Sequence, residues 1–249
     1  MFEQETLDNL VQRLSGRRFH ANLNFYDSQF DAYTSHLRQT LPGATLDTIY
    51  MVGIASLFAI IFGMIIGCSL YFTSPTGIYP FPFYNKIIGF IINIGRSIPF
   101  VVLIMLVFPL ARHIVGTSIG SRAAIVPLTI AAIPFMSRVV ESTLNELGHG
   151  IIEAAISAGA TTKQLIYRVI IPEAAPGLVA GFTLLIINLI TFSAMAGMVG
   201  GGGLGDVAIS YGMNRNRRDI LVYAVIILVV LVQIVQAVGT SISRKLDKR

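Results

Sequence analysis

The sequence predicts an all-α integral membrane protein with five transmembrane helices and a pair of short helices between the third and the fourth. Hydrophobic residues make up 54% of the 249 residues and charged residues only 12%, whereas about a quarter of a soluble domain is charged. Stretches without Asp, Glu, Lys or Arg cover residues 48–85, 174–205 and 220–243. Because a membrane-spanning helix needs about 20 apolar residues, each stretch holds at least one span.

Two further spans are predicted between these stretches. An uncharged run lies between Arg122 and Arg138, whose long side chains can reach the two membrane interfaces. Residues 87–110 are apolar apart from three polar side chains. The five predicted spans are 48–72, 87–110, 119–138, 175–197 and 220–242.

The predicted transmembrane domain covers residues 48–243, between a polar N-terminal extension, 1–47, and a basic tail, 244–249. We expect no cleavable signal peptide, because the first apolar stretch is too long and too late in the chain. The first span is then the targeting signal. Within the extension, four apolar residues recur at helical spacing: Leu7, Leu10, Val11 and Leu14. They fit a helix that lies on a surface or contacts a partner, or an appendage without a role.

The distribution of positive charge favours one orientation. Lys and Arg residues occur singly in the loops and in the tail, a pattern that indicates a membrane interface and not a nucleic-acid surface. An odd number of spans puts the termini on opposite sides. The Lys and Arg residues near the spans favour a cytoplasmic C-terminus and an outer N-terminus. The loop between the third and fourth spans is then cytoplasmic.

The sequence offers no energy source of its own. The cores of the first, fourth and fifth predicted spans lack carboxylates and histidines, which ion-coupled transporters usually carry inside the membrane. The chain contains no GxxxxGK[ST] nucleotide motif. Gly200, Gly202 and Gly205 have GxGxxG spacing, but they follow an apolar helix and not a strand, so a tight turn or a close helix approach is predicted. We therefore expect no catalytic or metal-binding residue, and any uphill transport needs ATP hydrolysis by another chain.

The loop segment 150–172 is rich in small residues. Its first helix starts at residue 149 and is predicted to place Glu153 in the first turn, where the helix dipole favours a negative charge. Three alanines give this helix a face almost without side chains: Ala154, Ala155 and Ala158. Gly159 suits a left-handed cap.

A second short helix follows the cap. Thr161 and Gln164 have the spacing of a capping box that opens this helix, and Pro172 is predicted to end it. Two short helices between spans, one smooth and bearing a carboxylate, suit insertion into a groove on another protein, because small residues allow close approach.

These residues resemble a known family. Glu153-Ala154-Ala155, then Gly159, then Val169, Ile171 and Pro172 are similar to the "EAA…G…I-x-L-P" signature of the inner-membrane permease subunits of bacterial ABC importers. Further segments look like the methionine importer permease subfamily: "RSIPF" (96–100), "VGTSIG" (115–120), "AAIVPLT" (123–129), "IPEAAPGLV" (171–179) and "SAMAGMVGGGGLG" (193–205).

The resemblance implies a permease that imports methionine, of D or L configuration, across the inner membrane. It implies a homodimer of this chain, two ATPase subunits that bind ATP and Mg, and a periplasmic substrate-binding lipoprotein. The residues implied to couple the permease to the ATPase are Glu153, Ala154, Ala155, Gly159 and Pro172. Two alternatives stay open: a permease for another amino acid, and a subunit that transmits force to a partner without transport.

The end of the fourth span is predicted to line the translocation path. Ser193, Met195 and Met198 are expected near the dimer axis, where Gly197 and Gly200 allow the two copies to approach closely. A flexible, uncharged constriction suits a small zwitterion with a thioether tail. The alternative for the methionines is ordinary packing.

Arg96 stands in the second predicted span. Because a charge facing lipid is costly, Arg96 is expected at an interface or facing protein, with snorkelling from a tilted helix as the alternative. Pro99 is expected to kink this span just after Arg96.

Overall fold

The computed structural model describes residues 40–215 and 217–247, and this part contains helices and turns but no strand. From Ala44 onward the described chain forms one compact unit. The predicted apolar pattern in residues 7–14 and the rest of the N-terminal extension up to residue 39 lie outside the described residues. Residues 248 and 249 of the basic tail also lie outside them.

Eleven helical segments follow one another in the described part. The membrane-length helices and the broken pair are α1 (Thr40–Thr73), α2 (Pro82–Ser97), α3 (Phe100–Val115), α4 (Ser121–Asn145), α7 (Ile171–Met198) and α9 (Arg218–Leu246). The short segments are α5 (His149–Ser157), α6 (Thr162–Gln164), a π-helical turn (Leu165–Ile170) and α8 (Gly203–Val207), which continues into a second π-helical turn (Ala208–Met213).

Four predicted spans are long apolar helices, each longer than its predicted range. The predicted span over 87–110 consists of two helices, α2 and α3, bent by 105° at the place where a kink was predicted. Proline disfavours helical geometry in the residue before it, and Ile98 and Pro99 both have extended ψ angles, 121° and 133°. Pro99 therefore does more than kink the span: it caps a new helix. The broken pair, counted as one span, completes five.

Helix α4 lies at the centre of the unit, in contact with α2, α3 and α7. Its side chains Leu128, Met136 and Val140 are fully buried. Helix α1 approaches α4 closely, since a Cβ added at Gly67 would lie 2.5 Å from the backbone carbonyl oxygen of Ser137. Small residues that let backbones meet are typical of helix contacts in membranes.

Arg138 joins α4 to α2. Its Nη1 lies 2.6 Å from Glu141 Oε2, and its Nη2 donates to the Gly89 carbonyl at 2.9 Å and to Asn93 Oδ1 at 3.0 Å. The sequence predicted Arg138 at the membrane interface, ending its span. The side chain is paired with protein groups, and the predicted end of the span was wrong, because α4 continues to Asn145.

The outer helix faces are apolar and exposed. Along α9, side chains such as Val222, Ile226 and Ile234 are about half exposed, and only 11% of its most apolar window is buried. A soluble monomer rarely presents so large an apolar surface. These faces suit lipid or another subunit.

The α1–α4 contact makes a prediction about two glycines of one helix. Gly67→Ala should destabilise the protein by about 1–3 kcal/mol, because the added methyl overlaps the α4 backbone. Gly53 has nothing within 4 Å of its Cβ position, so Gly53→Ala should be neutral or stabilising by up to about 1 kcal/mol. Thermal unfolding of the purified variants in detergent measures both effects. Equal midpoints for the two variants would contradict this packing.

Candidate coupling loop and translocation region

Helix α5 presents a carboxylate to water. Gly148 is its N-cap, and no acidic residue lies in its first turn, so the prediction that placed Glu153 there was wrong. Because the helix begins at His149, Glu153 is its fifth residue and lies one turn further on. Ile152 and Ala155 pack against the hydrophobic core, which leaves Glu153 and Ala154 exposed on the other side.

Gly159 ends α5 in the predicted left-handed conformation, with a φ of 80°. Its N–H donates to the Ile156 carbonyl at 2.9 Å, and the Ala160 N–H donates to the Ala155 carbonyl at 3.1 Å. These two hydrogen bonds form a Schellman motif, which satisfies carbonyls at the helix end. The exit of the chain from α5 is therefore fixed by backbone geometry.

The predicted capping box is present. The Gln164 N–H donates to Thr161 Oγ1 at 3.4 Å, and the Thr161 N–H donates to Gln164 Oε1 at 2.9 Å. The prediction that Pro172 ends this helix was wrong, because the chain stays helical from Thr162 to Met198. The wider π-helical turn Leu165–Ile170 precedes the proline, and a wider turn relieves the clash of a proline ring with the preceding turn.

The two short helices and the π-helical turn after them leave several side chains exposed. Glu153, Ala154 and Ala158 are exposed, whereas Ala155 is half-buried, so the predicted smooth face is only partly available. Two large apolar side chains that the sequence interpretation did not name are also exposed: Ile156 at 56% and Tyr167 at 71%. The sequence signal that could have identified them is the presence of large side chains in a segment of small residues. Ile151 is exposed as well, at 40%. A capped loop with one exposed carboxylate and three exposed apolar side chains can bind a complementary protein surface.

The end of α7 separates the three residues predicted for the path. Met195 and Met198 are 36% and 60% exposed, and their spacing puts them on one helix face. Ser193 is 1% exposed, and its hydroxyl donates to the Ile190 carbonyl at 2.7 Å. Ser193 therefore lies in the interior of the subunit, away from the face of the two methionines.

Two glycines at the end of α7, Gly197 and Gly200, support contacts within the subunit. A Cβ at Gly197 would overlap the backbone of Asp206 and Gly205 in α8. Gly200 has a φ of 84°, and its carbonyl accepts a hydrogen bond from the Gly120 N–H at 2.8 Å. These contacts agree with the predicted tight turn and close helix approach.

Arg96 lies in the last turn of α2, just before the break. Its side chain is exposed and borders two cavities of about 230 and 580 Å³. Asn188 of α7 lines the smaller cavity and was missed by the sequence interpretation. No periodicity singles it out within an apolar helix.

The chain matches transport permeases along most of its length. The family described as binding-protein-dependent transport system inner membrane component matches residues 59–249. The probable D-methionine transport system permease protein MetI of Vibrio cholerae is 46% identical over 222 residues, which are 89% of this chain and 97% of that protein. The methionine import system permease protein MetP of Bacillus subtilis is 40% identical over 88% of this chain and 100% of that protein.

A solved structure agrees with these relatives. The native crystal form of the inward-facing MetNI methionine ABC transporter matches with a TM-score of 0.83 and 39% identity, over 85% of this chain and 98% of that chain. The chain belongs to the family of binding-protein-dependent transport system inner membrane components.

Proposed function

We propose that this chain is the permease subunit of an ATP-binding cassette importer that carries methionine across the bacterial inner membrane. The observation that supports it most is the capped loop between α4 and α7, which presents Glu153 next to exposed apolar side chains. Such a loop serves a protein whose driving force comes from a bound partner. Methionine as substrate follows the names of the two relatives described above.

The proposed assembly is a homodimer of this chain with two ATPase subunits and an external substrate-binding lipoprotein. The ATPase subunits bind ATP and Mg, whereas this chain binds no cofactor and catalyses no reaction. Glu153, Ala154 and Gly159 belong to the surface that docks on the ATPase, and Pro172 starts the helix that joins this surface to the membrane. Lipid surrounds the remaining apolar faces, and nucleic acid has no role.

The proposed orientation puts the loop and the C-terminus in the cytoplasm and the N-terminus in the periplasm. The Ser243 hydroxyl, near the end of α9, donates to the Pro176 carbonyl at 2.9 Å. The end of α9 and the loop end of α7 are therefore on the same side. Positive charges concentrate on cytoplasmic ends of spans, and this side holds Lys163, Arg168, Arg244 and Lys245.

The proposed path runs past Met195 and Met198 at the contact between the two copies. Both side chains are exposed on the surface of the subunit, and a flexible thioether side chain can close a constriction without binding a solute tightly. Ser193 is left out of the proposed path because its side chain is buried.

Uptake into vesicles that contain the full complex tests the proposed function. We expect radiolabelled methionine to accumulate only when ATP is supplied to the ATPase subunits. Glu153→Lys reverses the charge at position 153 of the docking surface, and Gly159→Val costs about 1–2 kcal/mol because valine is strained at positive φ. Both variants should lower uptake on the order of tenfold, since 1.4 kcal/mol corresponds to a factor of ten.

A glycine of the same loop provides the control. Gly148 has a φ of −59° and nothing within 4 Å of its Cβ position, so Gly148→Val should leave uptake unchanged. Uptake by all three variants at the normal rate would contradict the role of the loop. ATP hydrolysis by the wild-type complex without uptake of any amino acid would instead favour force transmission without transport.

Cysteine crosslinking tests the path in a Cys68→Ser background, which removes the single natural cysteine. Met195→Cys or Met198→Cys should crosslink the two copies in at least one nucleotide state and react with a water-soluble thiol reagent. Ser193→Cys is the buried control and should remain unreactive. If neither methionine position crosslinks or reacts, both side chains belong to the packing and not to the path.

A further inference from the structure

A small cavity lies where the broken pair α2–α3 meets α4 and α7. Its volume is about 230 Å³, several times the roughly 30 Å³ that one water occupies in the liquid. Its walls are apolar and include three aromatic rings: Phe100, Phe135 and Phe192. Phe100 and Phe192 stack with ring centroids 4.5 Å apart. The cavity therefore has the size and lining of a site for a small apolar group.

Two polar side chains border this cavity, Arg96 and Asn188. Neither makes a hydrogen bond or ion pair with any residue in 40–215 or 217–247. Arg138, on the neighbouring helix, has a carboxylate, a carbonyl and an amide as partners. A guanidinium left without a partner beside an amide and an apolar cavity is suited to an incoming carboxylate.

A second, wider cavity shares Arg96 and Phe135 with the first. Its volume is about 580 Å³, and its other lining residues include Glu146 and the ion pair of Arg138 with Glu141. Arg96 thus stands at the junction of an apolar cavity and a polar one. A zwitterionic amino acid has a matching pattern, with an apolar tail, a carboxylate beside it, and an ammonium group that favours a site near carboxylates.

We propose that this pair of cavities binds the transported amino acid within the membrane. Arg96 and Asn188 hold its carboxylate, the three phenylalanine rings surround its apolar tail, and its ammonium group faces the polar cavity. The tail favoured by these walls is apolar, and a thioether makes favourable contacts with aromatic rings. The assignment rests on the proposed function and adds a substrate site to it.

Arg96 also lies in the last turn of α2, where the helix dipole favours a positive charge. That role would affect stability without any preference for an amino acid. The test therefore needs a signal from the cavity itself. Ala131 lines the cavity and is half-buried, so Ala131→Cys in the Cys68→Ser background places one thiol there.

The experiment follows modification of this thiol by neutral methyl methanethiosulfonate in the reconstituted complex, with mass spectrometry of the permease. Methionine and norleucine should slow the modification, whereas 3-methylthiopropylamine, which lacks the carboxylate, should not. Arg96→Gln should raise the methionine concentration needed for protection about 10- to 100-fold, the effect of losing a charged hydrogen bond. Arg96→Lys should recover part of the protection.

Arg122→Gln is the matched control, because Arg122 is also an exposed arginine at a helix end and lies outside both cavities. In this variant, methionine should protect the thiol at the same concentration as in the parent protein. Uptake of methionine without any protection, or with protection that Arg96→Gln leaves unchanged, would overturn the site while the proposed function stands. Protection without ATP-dependent uptake would support the site and contradict the proposed function.

Discussion

Close backbone packing of α4 against its long neighbours is the constraint on which the rest of this structure depends. Four glycines provide the close approach: Gly63 and Gly67 of α1, and Gly177 and Gly181 of α7. Lipid removes the hydrophobic force between spans, so contacts that bring backbones together contribute much of the association. The loop from α4 to α7 and the cavity beside the α2–α3 break both lie against these helices. Their geometry therefore depends on how α4 and α7 pack.

The loop and the cavity illustrate two different uses of that packing. The loop ends are fixed locally, by the left-handed Gly159 and by the Thr161 capping box, and the chain then continues as a helix to Met198. The cavity has no such local definition. Arg96, Phe135 and Asn188 come from three helices, so any change in the position of α7 relative to α4 would alter the site that they form.

Local chemistry was readable from the sequence, and long-range geometry was not. Uncharged stretches indicated the spans because lipid tolerates few charges, and Gly159 and Thr161 indicated caps because their backbone requirements are local. The direction of the chain after Pro99 depends on contacts with α4, which composition does not contain. The direction in which Ser193 and Met195 point depends on the rotation of α7 about its axis. The π-helical turn before this helix changes that rotation.

The central claim is that the close packing of α4 against α7 positions both the loop and the cavity. A Cβ at Gly177 would lie 3.8 Å from the Thr143 Cβ, within the range of a disulfide. The direct measurement is ATP-dependent uptake by the Thr143→Cys, Gly177→Cys variant in the Cys68→Ser background, before and after oxidation. The account predicts complete disulfide formation with uptake preserved. Failure of the disulfide to form, or loss of uptake that reduction restores, would contradict it.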